Sequence, residues 1–350
     1  MARFGPFILL LFLPLLALPP AWGQGKDLLL RVLLQEVPQG QGVRLSLPSG
    51  EVRAIATGEG VVLGGRLQPS FDLDVPYFAL EGRPYRGGVR LLAQGGKLLV
   101  VNLVLLEDYL LGVLPGEMPE GFPPEALKAQ AVLARTFAVN RLNPKAPYDL
   151  CASELCQVYL GFAAEKPRYA QAVAATRGQV LSFGGKAISA LYHADSGGMT
   201  AGSEEVFQVA LPYLRPRPDP YARGPKSAWR VAVPKERAEK ALRSLGYTPR
   251  GEEAPQVLER TPSGRAWRVR LLGVEVQGPE AGRLLRLMGL PSALAEFQGF
   301  EAVGRGAGHG VGLSQWGAKG MAEAGFDHRE ILGHYFPGTF LSELLLAGVP

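Results

Sequence analysis

Only two cysteines, four histidines and three asparagines occur among the 350 residues. Two cysteines exclude a small scaffold held by several disulfides. No block of five or more like charges stands out and the net charge is +5, so nucleic acid is not an expected partner. Past the N-terminal segment, no apolar run approaches the ~18 residues needed for a membrane-spanning helix. What is present points to a folded chain. Hydrophobic residues make up 47% and charged residues 20%, enough to build a core and to exclude a largely disordered protein. The 45 glycines and 29 prolines show no triplet period, which excludes collagen and favours a loop-rich globular protein. Length alone predicts about two domains. Arginine outnumbers lysine 27 to 10; with so few asparagines this fits a thermophile, or a GC-rich genome.

The N-terminus sets the expected compartment. Arg3 precedes an apolar run from Phe7 to Leu18, followed by Pro19, Pro20, Ala21, Trp22 and Gly23. This layout predicts a signal peptide over residues 1–23, cleaved after Gly23; the run is too short for a membrane anchor. The expected mature protein is secreted, periplasmic or held in the cell envelope, with no membrane span after cleavage.

Residues 24–88 are expected to be a β-rich region of short runs bounded by Gly and Pro, and Gly95-Gly96 reads as a hairpin turn. Glu107–Leu114 reads as a short helix broken by Pro115-Gly116. A second helix opens at Pro123-Pro124-Glu125 and runs to about Arg141. A third spans about 168–177. Residues 179–193 read as a hairpin turning at Gly184-Gly185, and 215–300 as an insertion with an amphipathic helix near 234–245. Asp327 and Glu330 form a capping-box pattern before a last helix. The expected fold class is α+β, with mixed helices and antiparallel hairpins: a small N-terminal β region and one motif-bearing domain over residues 89–345.

Five features have chemical potential. Glu117, between Gly116 and Met118-Pro119, is placed for a general acid if its surroundings are dry enough to raise its pKa; a solvated loop glutamate is the plain alternative. Lys128 and Arg135, seven residues apart, share a helix face and could hold an anionic or carbonyl-bearing substrate. Cys151 and Cys156 predict a disulfide in an oxidising compartment, or half of a zinc site. His193 with Asp195 and Ser196 invites a hydrolase reading, but the Gly-x-Ser-x-Gly elbow is absent. The glycines from 304 to 312 match no dinucleotide fingerprint. They would let backbone approach a ligand, with His309, Ser314, Gln315 and Trp316 as a sugar-binding wall.

Six segments, in this order, resemble the SpoIID/LytB family of stage II sporulation protein D and amidase-enhancer proteins. They are Leu106–Pro119, Ala126–Thr136, Cys156–Tyr159, Tyr192–Gly198, Pro212–Leu214 and Gly308–Ala318. The resemblance implies a lytic transglycosylase acting on peptidoglycan glycan strands, with Glu117 as catalytic acid/base and no cofactor. It places Lys128, Arg135 and Tyr159 along the substrate cleft. With them, His193, Ser196, His309 and Gln315 make up the expected substrate-binding set. Zinc-holding members carry a histidine directly before the second cysteine; here that position is Leu155, so no metal is expected. The amidase-enhancer branch implies an alternative, a non-catalytic glycan-binding protein that activates a cell-wall amidase.

Overall fold

The computed structural model describes residues 28–344; the signal segment expected over 1–23 lies outside them. The N-terminal half carries two sheets over one core, antiparallel except where Leu150–Cys151 adds in parallel at the outer side of Leu29–Pro38. The strand Leu29–Pro38 pairs along its length with Lys97–Leu105, burying Leu30 and Val32 on one face. The next neighbours are Gly88–Gln94 and then Ser70–Leu73. Gly95 and Gly96, at φ 57° and 70°, make the expected two-residue turn between Gly88–Gln94 and Lys97–Leu105. A six-stranded sheet runs in the order Arg66–Gln68, Val61–Leu63, Gly50–Ala56, Gly42–Leu47, Tyr77–Leu80, Arg83–Arg86. The expected border at 88/89 falls inside the first sheet, whose strands come from both sides of it. The core is likewise continuous from Leu30 to the C-terminal helices.

Helix α1 (Leu106–Glu117) follows directly on the strand Lys97–Leu105. It does not break at Pro115 as expected. Proline costs a helix a hydrogen bond to residue i−4, but here it lies in the last turn, where little helix remains to be disrupted. The face bearing Tyr109, Leu110, Val113 and Leu114 is fully buried, and the Gly112 carbonyl accepts from Leu160 N–H. Packing thus carries the helix to Glu117. Helix α2 (Pro124–Asn140) buries 12 of its 17 residues, many of them alanines that let neighbouring helices approach closely. Around it pack α1, α3 (Pro167–Ala175) and two C-terminal helices.

The expected hairpin over 179–193 is shorter. Gln179–Phe183 pairs with Lys186–Ala187 across Gly184-Gly185, but Tyr192–His193 leaves to pair in parallel with Leu313–Ser314. That crossing ties the middle of the chain to its end. A short helix, α4 (Ser203–Phe207), follows.

Residues 229–302 build a second hydrophobic core around Val269, Leu271, Val276, Leu284 and Leu285. It holds α5 (Lys235–Ser244), α6 (Pro279–Leu287) and two three-stranded antiparallel sheets. The chain then returns through α7 (Gln315–Glu323) and α8 (His328–Tyr335), the latter closed by the Asp327/Glu330 capping box. Helices and antiparallel sheets together make the α+β fold expected from sequence.

Candidate active site

Glu117 is the last residue of α1, and three segments converge on it. Val158 N–H donates to its Oε1 at 3.0 Å. The Tyr192 hydroxyl bonds its carboxylate and itself accepts from Gln157 Nε2 at 3.3 Å. Gln157 Oε1 in turn accepts from the buried Tyr109 hydroxyl at 3.2 Å. Gln315 Nε2 donates to the Glu117 carbonyl at 3.0 Å, and the Met118 carbonyl accepts from Tyr169 at 2.7 Å. The glycine before Glu117 has a local reason: a methyl group on Gly116 would collide with Val158, so only glycine lets the helix end meet that segment.

Glu117 is half-buried. Burial raises its pKa above the ordinary carboxyl value, and the bonds from Val158 and Tyr192 offset this in part. The nearby Glu154 charge raises it further. The negative end of α1 acts in the same direction, since a carboxylate is disfavoured beside unpaired helix carbonyls. A carboxyl group that keeps its proton longer than usual and stays partly accessible can donate it.

Cys151 and Cys156 form a disulfide. It closes a tight loop with Glu154 and Leu155 at its tip, Leu155 being 87% exposed. Of the two residues after it, Val158 donates to Glu117 and Gln157 holds the Tyr192 hydroxyl beside it. The bond therefore fixes one wall of the cradle.

The other expected site residues divide. Gln315 reaches Glu117, through its carbonyl. Arg135 does not reach any cleft: it is 0% exposed and makes a two-pronged ion pair with Glu107 at 2.7 and 2.8 Å, with further bonds to the carbonyls of Gln179 and Val173. Its fork suits a buried carboxylate as well as it suits a ligand. Tyr159 is also buried, its hydroxyl donating to Asn102 and its ring packed on Tyr109. Lys128 is partly exposed and pairs with Glu125 at 2.6 Å. Glu125 also accepts from the backbone and ring of His328. Burial pushes the Glu125 pKa up, but these partners outweigh it and leave it at about 2.

His193, Asp195 and Ser196 form no hydrolase triad, because each is committed elsewhere. Nδ1 of His193 donates to the Val311 carbonyl at 3.1 Å. Asp195 accepts from Gly197 and Gly224 N–H. The Ser196 hydroxyl donates to the buried Asp219 at 2.7 Å. Ser314 caps α7 and accepts from Ser196 N–H. His309 accepts from Val311 N–H, and its ring lies 5.6 Å from those of His193 and Phe207. Burial, then the charges of Arg286 and Arg265, bring its pKa down to about 4.

The glycine run meets protein rather than an open ligand face. Gly306, Gly308, Gly310 and Gly312 all have positive φ. A methyl group on Gly312 would overlap the Leu191 carbonyl, on Gly306 the Asp195 carbonyl, and on Gly310 the Arg265 guanidinium.

Two residues of the cradle escaped the sequence reading, although both lie in the quoted motifs. Tyr192 reaches Glu117 and Gln157 holds the Tyr192 hydroxyl; Tyr159 and His193, which were singled out, bond elsewhere. Tyr192 and His193 are successive on a strand and point to opposite sides, so alternation about the buried His193 is the signal that could have separated them; Gln157 and Tyr159 lie two apart, both buried and both against Tyr109, and no local signal separates that pair.

An acid at a helix end, half-dry and held by a disulfide-braced segment, defines a candidate acid/base centre on an α+β scaffold. The stage II sporulation protein family model, SpoIID, matches residues 94–183, which include this centre. The chain is 31% identical over 271 residues to the stage II sporulation protein D of Bacillus amyloliquefaciens, covering 69% of this chain and 76% of that one. An uncharacterized protein of Brachyspira hyodysenteriae is 33% identical over 269 residues, 75% of this chain and 73% of its own. The amidase enhancer of Bacillus subtilis is 28% identical over 289 residues, 67% of this chain but 40% of that protein. The chain belongs to the SpoIID family.

Proposed function

We propose that the protein acts in the cell envelope as a peptidoglycan lytic transglycosylase. The observation that carries this reading is the Glu117 carboxyl, half-buried at the end of α1 with a raised pKa and two hydrogen-bonding partners. Its proton goes to the oxygen linking N-acetylmuramic acid to N-acetylglucosamine. As that bond breaks, the muramyl 6-hydroxyl attacks the anomeric carbon and gives its proton to the Glu117 carboxylate. The products are a 1,6-anhydro end and a free 4-hydroxyl, and Glu117 ends protonated as it began. The nucleophile belongs to the substrate, so no second carboxylate is required, unlike in ordinary glycosidases.

In this reading residues 1–23 are a cleaved signal, and the catalytic part from residue 89 onward, with an insertion at about 215–300, shares its core with the β-rich residues before it. The mild positive charge suits an anionic wall. Similarity to an amidase enhancer supports a second reading, in which the same cradle binds glycan and an amidase does the cutting.

Mass spectrometry of purified sacculi, combined with retention of the protein on the same material, separates the two. The transglycosylase releases anhydro-muropeptides unaided. The enhancer is retained, releases nothing alone and speeds an added amidase.

A further inference from the structure

Asp219 is fully buried, and among the described residues no lysine or arginine pairs with it. A buried carboxylate without a cation is costly, and an apolar side chain of like volume would burden the fold less. What surrounds it is hydroxyl groups and the start of a helix. The Ser196 hydroxyl donates to Oδ2 at 2.7 Å. The hydroxyls of Ser314, the N-cap of α7, and of Tyr335, in the last turn of α8, face the same carboxyl group. Burial raises the Asp219 pKa, and these three hydroxyls, with the nearby His334 charge, oppose the rise. A methyl group on Gly317 would overlap both the Asp219 carboxyl and the Tyr335 hydroxyl, so glycine brings the first turn of α7 down onto the carboxylate. The negative charge therefore sits at the positive end of that helix, where each favours the other.

The helix start held in this way is the part of α7 that meets the acid. Ser314 Oγ accepts from Ser196 N–H at 3.2 Å and from Gly317 N–H at 3.1 Å, which leaves its own proton for Asp219. The next residue, Gln315, donates to the Glu117 carbonyl at 3.0 Å. The residue after that, Trp316, packs edge-on against Phe122, with ring centroids 5.1 Å apart. The first two residues of α7 thus both rest on the segment that carries Glu117, and a carboxylate sits directly behind them.

We propose that Asp219 is a positioning residue for Glu117: its buried carboxylate fixes the start of α7, so that Gln315 pins the end of α1 and keeps the acid between Val158 N–H and the Tyr192 hydroxyl. The proposal rests on the reading of Glu117 as the proton donor. It adds a residue that acts on the acid through Ser314 and Gln315 without touching substrate.

The test is an NMR titration of the mature protein carrying isotope-labelled glutamate carboxyl groups, with the Glu117 signal assigned by its loss in Glu117→Gln. No cleavage is read, so a failure of the transglycosylase assignment would appear in the sacculus digest and not here. Wild type, Asp219→Asn, Gln315→Ala and the double variant are compared. Each single substitution should loosen the end of α1 and admit water. Burial is the largest cause of the raised Glu117 pKa, so its loss should outweigh the loss of the two bonds and bring the value down toward that of an ordinary carboxyl group. The double variant should fall no further than the larger single effect, because both residues act through one contact. A mere loss of the Asp219 charge would instead add to the effect of Gln315→Ala. Ser196→Ala removes one donor and keeps the charge; it should move Glu117 in the same direction, and it stands in if Asp219→Asn does not fold. A Glu117 pKa unmoved or raised in Asp219→Asn, or in Ser196→Ala where that variant stands in, would overturn the proposal, as would a double variant whose shift is the sum of the singles.

Discussion

At Glu117 three neighbouring segments converge on one carboxyl group, whereas at residues 304–312 four glycines let two stretches of main chain lie against each other. Both regions are motif-dense, and their sequence signatures look equally functional. In the first, the surroundings serve a side chain: burial raises its pKa, and Val158 N–H and the Tyr192 hydroxyl offset part of the rise. In the second, side chains give way to backbone. The Gly308–Gly312 segment is locked to residues 191–201 by main-chain bonds and by His193 Nδ1 on the Val311 carbonyl, while the side chains of Asp195 and Ser196 bond Gly197, Gly224 and Asp219 beside it. A motif rich in polar and small residues can thus mark either chemistry or a tight crossing. The distinction lies in whether its polar atoms have partners already.

Several substitutions can break this comparison. The largest loss of stability is expected on the framework behind the cradle. Arg135→Ala empties the space of a fully buried side chain and leaves the partly buried Glu107 without its partner, which costs about 3 kcal/mol; urea denaturation should show this as a large fall in midpoint. At the crossing, Gly312→Ala combines a left-handed backbone with overlap on the Leu191 carbonyl. The expected cost is about 2–4 kcal/mol. If this variant melts like the wild type, the glycines are not there for packing. Replacing both Cys151 and Cys156 by serine opens the short loop and should cost about 2 kcal/mol. It should also lower activity by more than that stability loss explains, because the segment holding Glu117 is freed.

The smallest effect belongs to Glu125. Its pKa is depressed to about 2 from 4.5, so its stabilising contribution is present above pH 4.5 and is lost as pH falls toward 2. Partial solvent screening limits it to about 1 kcal/mol. Glu125→Gln should therefore be about that much less stable at pH 6, and the gap to wild type should close on acidification in parallel denaturation curves.

Much of this architecture is legible in the residues. The Gly95-Gly96 turn, the proline-opened α2 and the Asp327/Glu330 cap are local signals, and each appears where its chemistry requires. Glu117 is legible only through the family resemblance of Leu106–Pro119, since its flanking residues by themselves fit a solvated loop glutamate. Long-range facts were not legible. Nothing local says that the α1 face is buried deeply enough to run through Pro115. Nothing local says that Arg135 finds Glu107, 28 residues away, or that the end of the 179–193 segment prefers Leu313–Ser314 to its own hairpin. The exchange of Tyr192 for His193 has the same origin, since which face of an extended segment points inward is decided by its partner; Gln157 and Tyr159 are both buried against Tyr109 and differ only in what their polar ends reach.

The central claim is that Glu117 supplies and recovers the proton at the glycosidic bond, and Glu117→Gln tests it most directly. An amide keeps the shape and can still accept from Val158 N–H, but it cannot donate the proton. Purified sacculi should be digested with wild type and variant, and the anhydro-muropeptides counted by mass spectrometry. The account predicts an unchanged melting profile, retained binding to sacculi and a drop in anhydro product of about 10²–10⁴-fold or more. In the wild type, product formation should decline as pH rises through the raised Glu117 pKa, because the proton-donating form is lost there. Anhydro-muropeptides released by the glutamine variant at the wild-type rate would contradict the account.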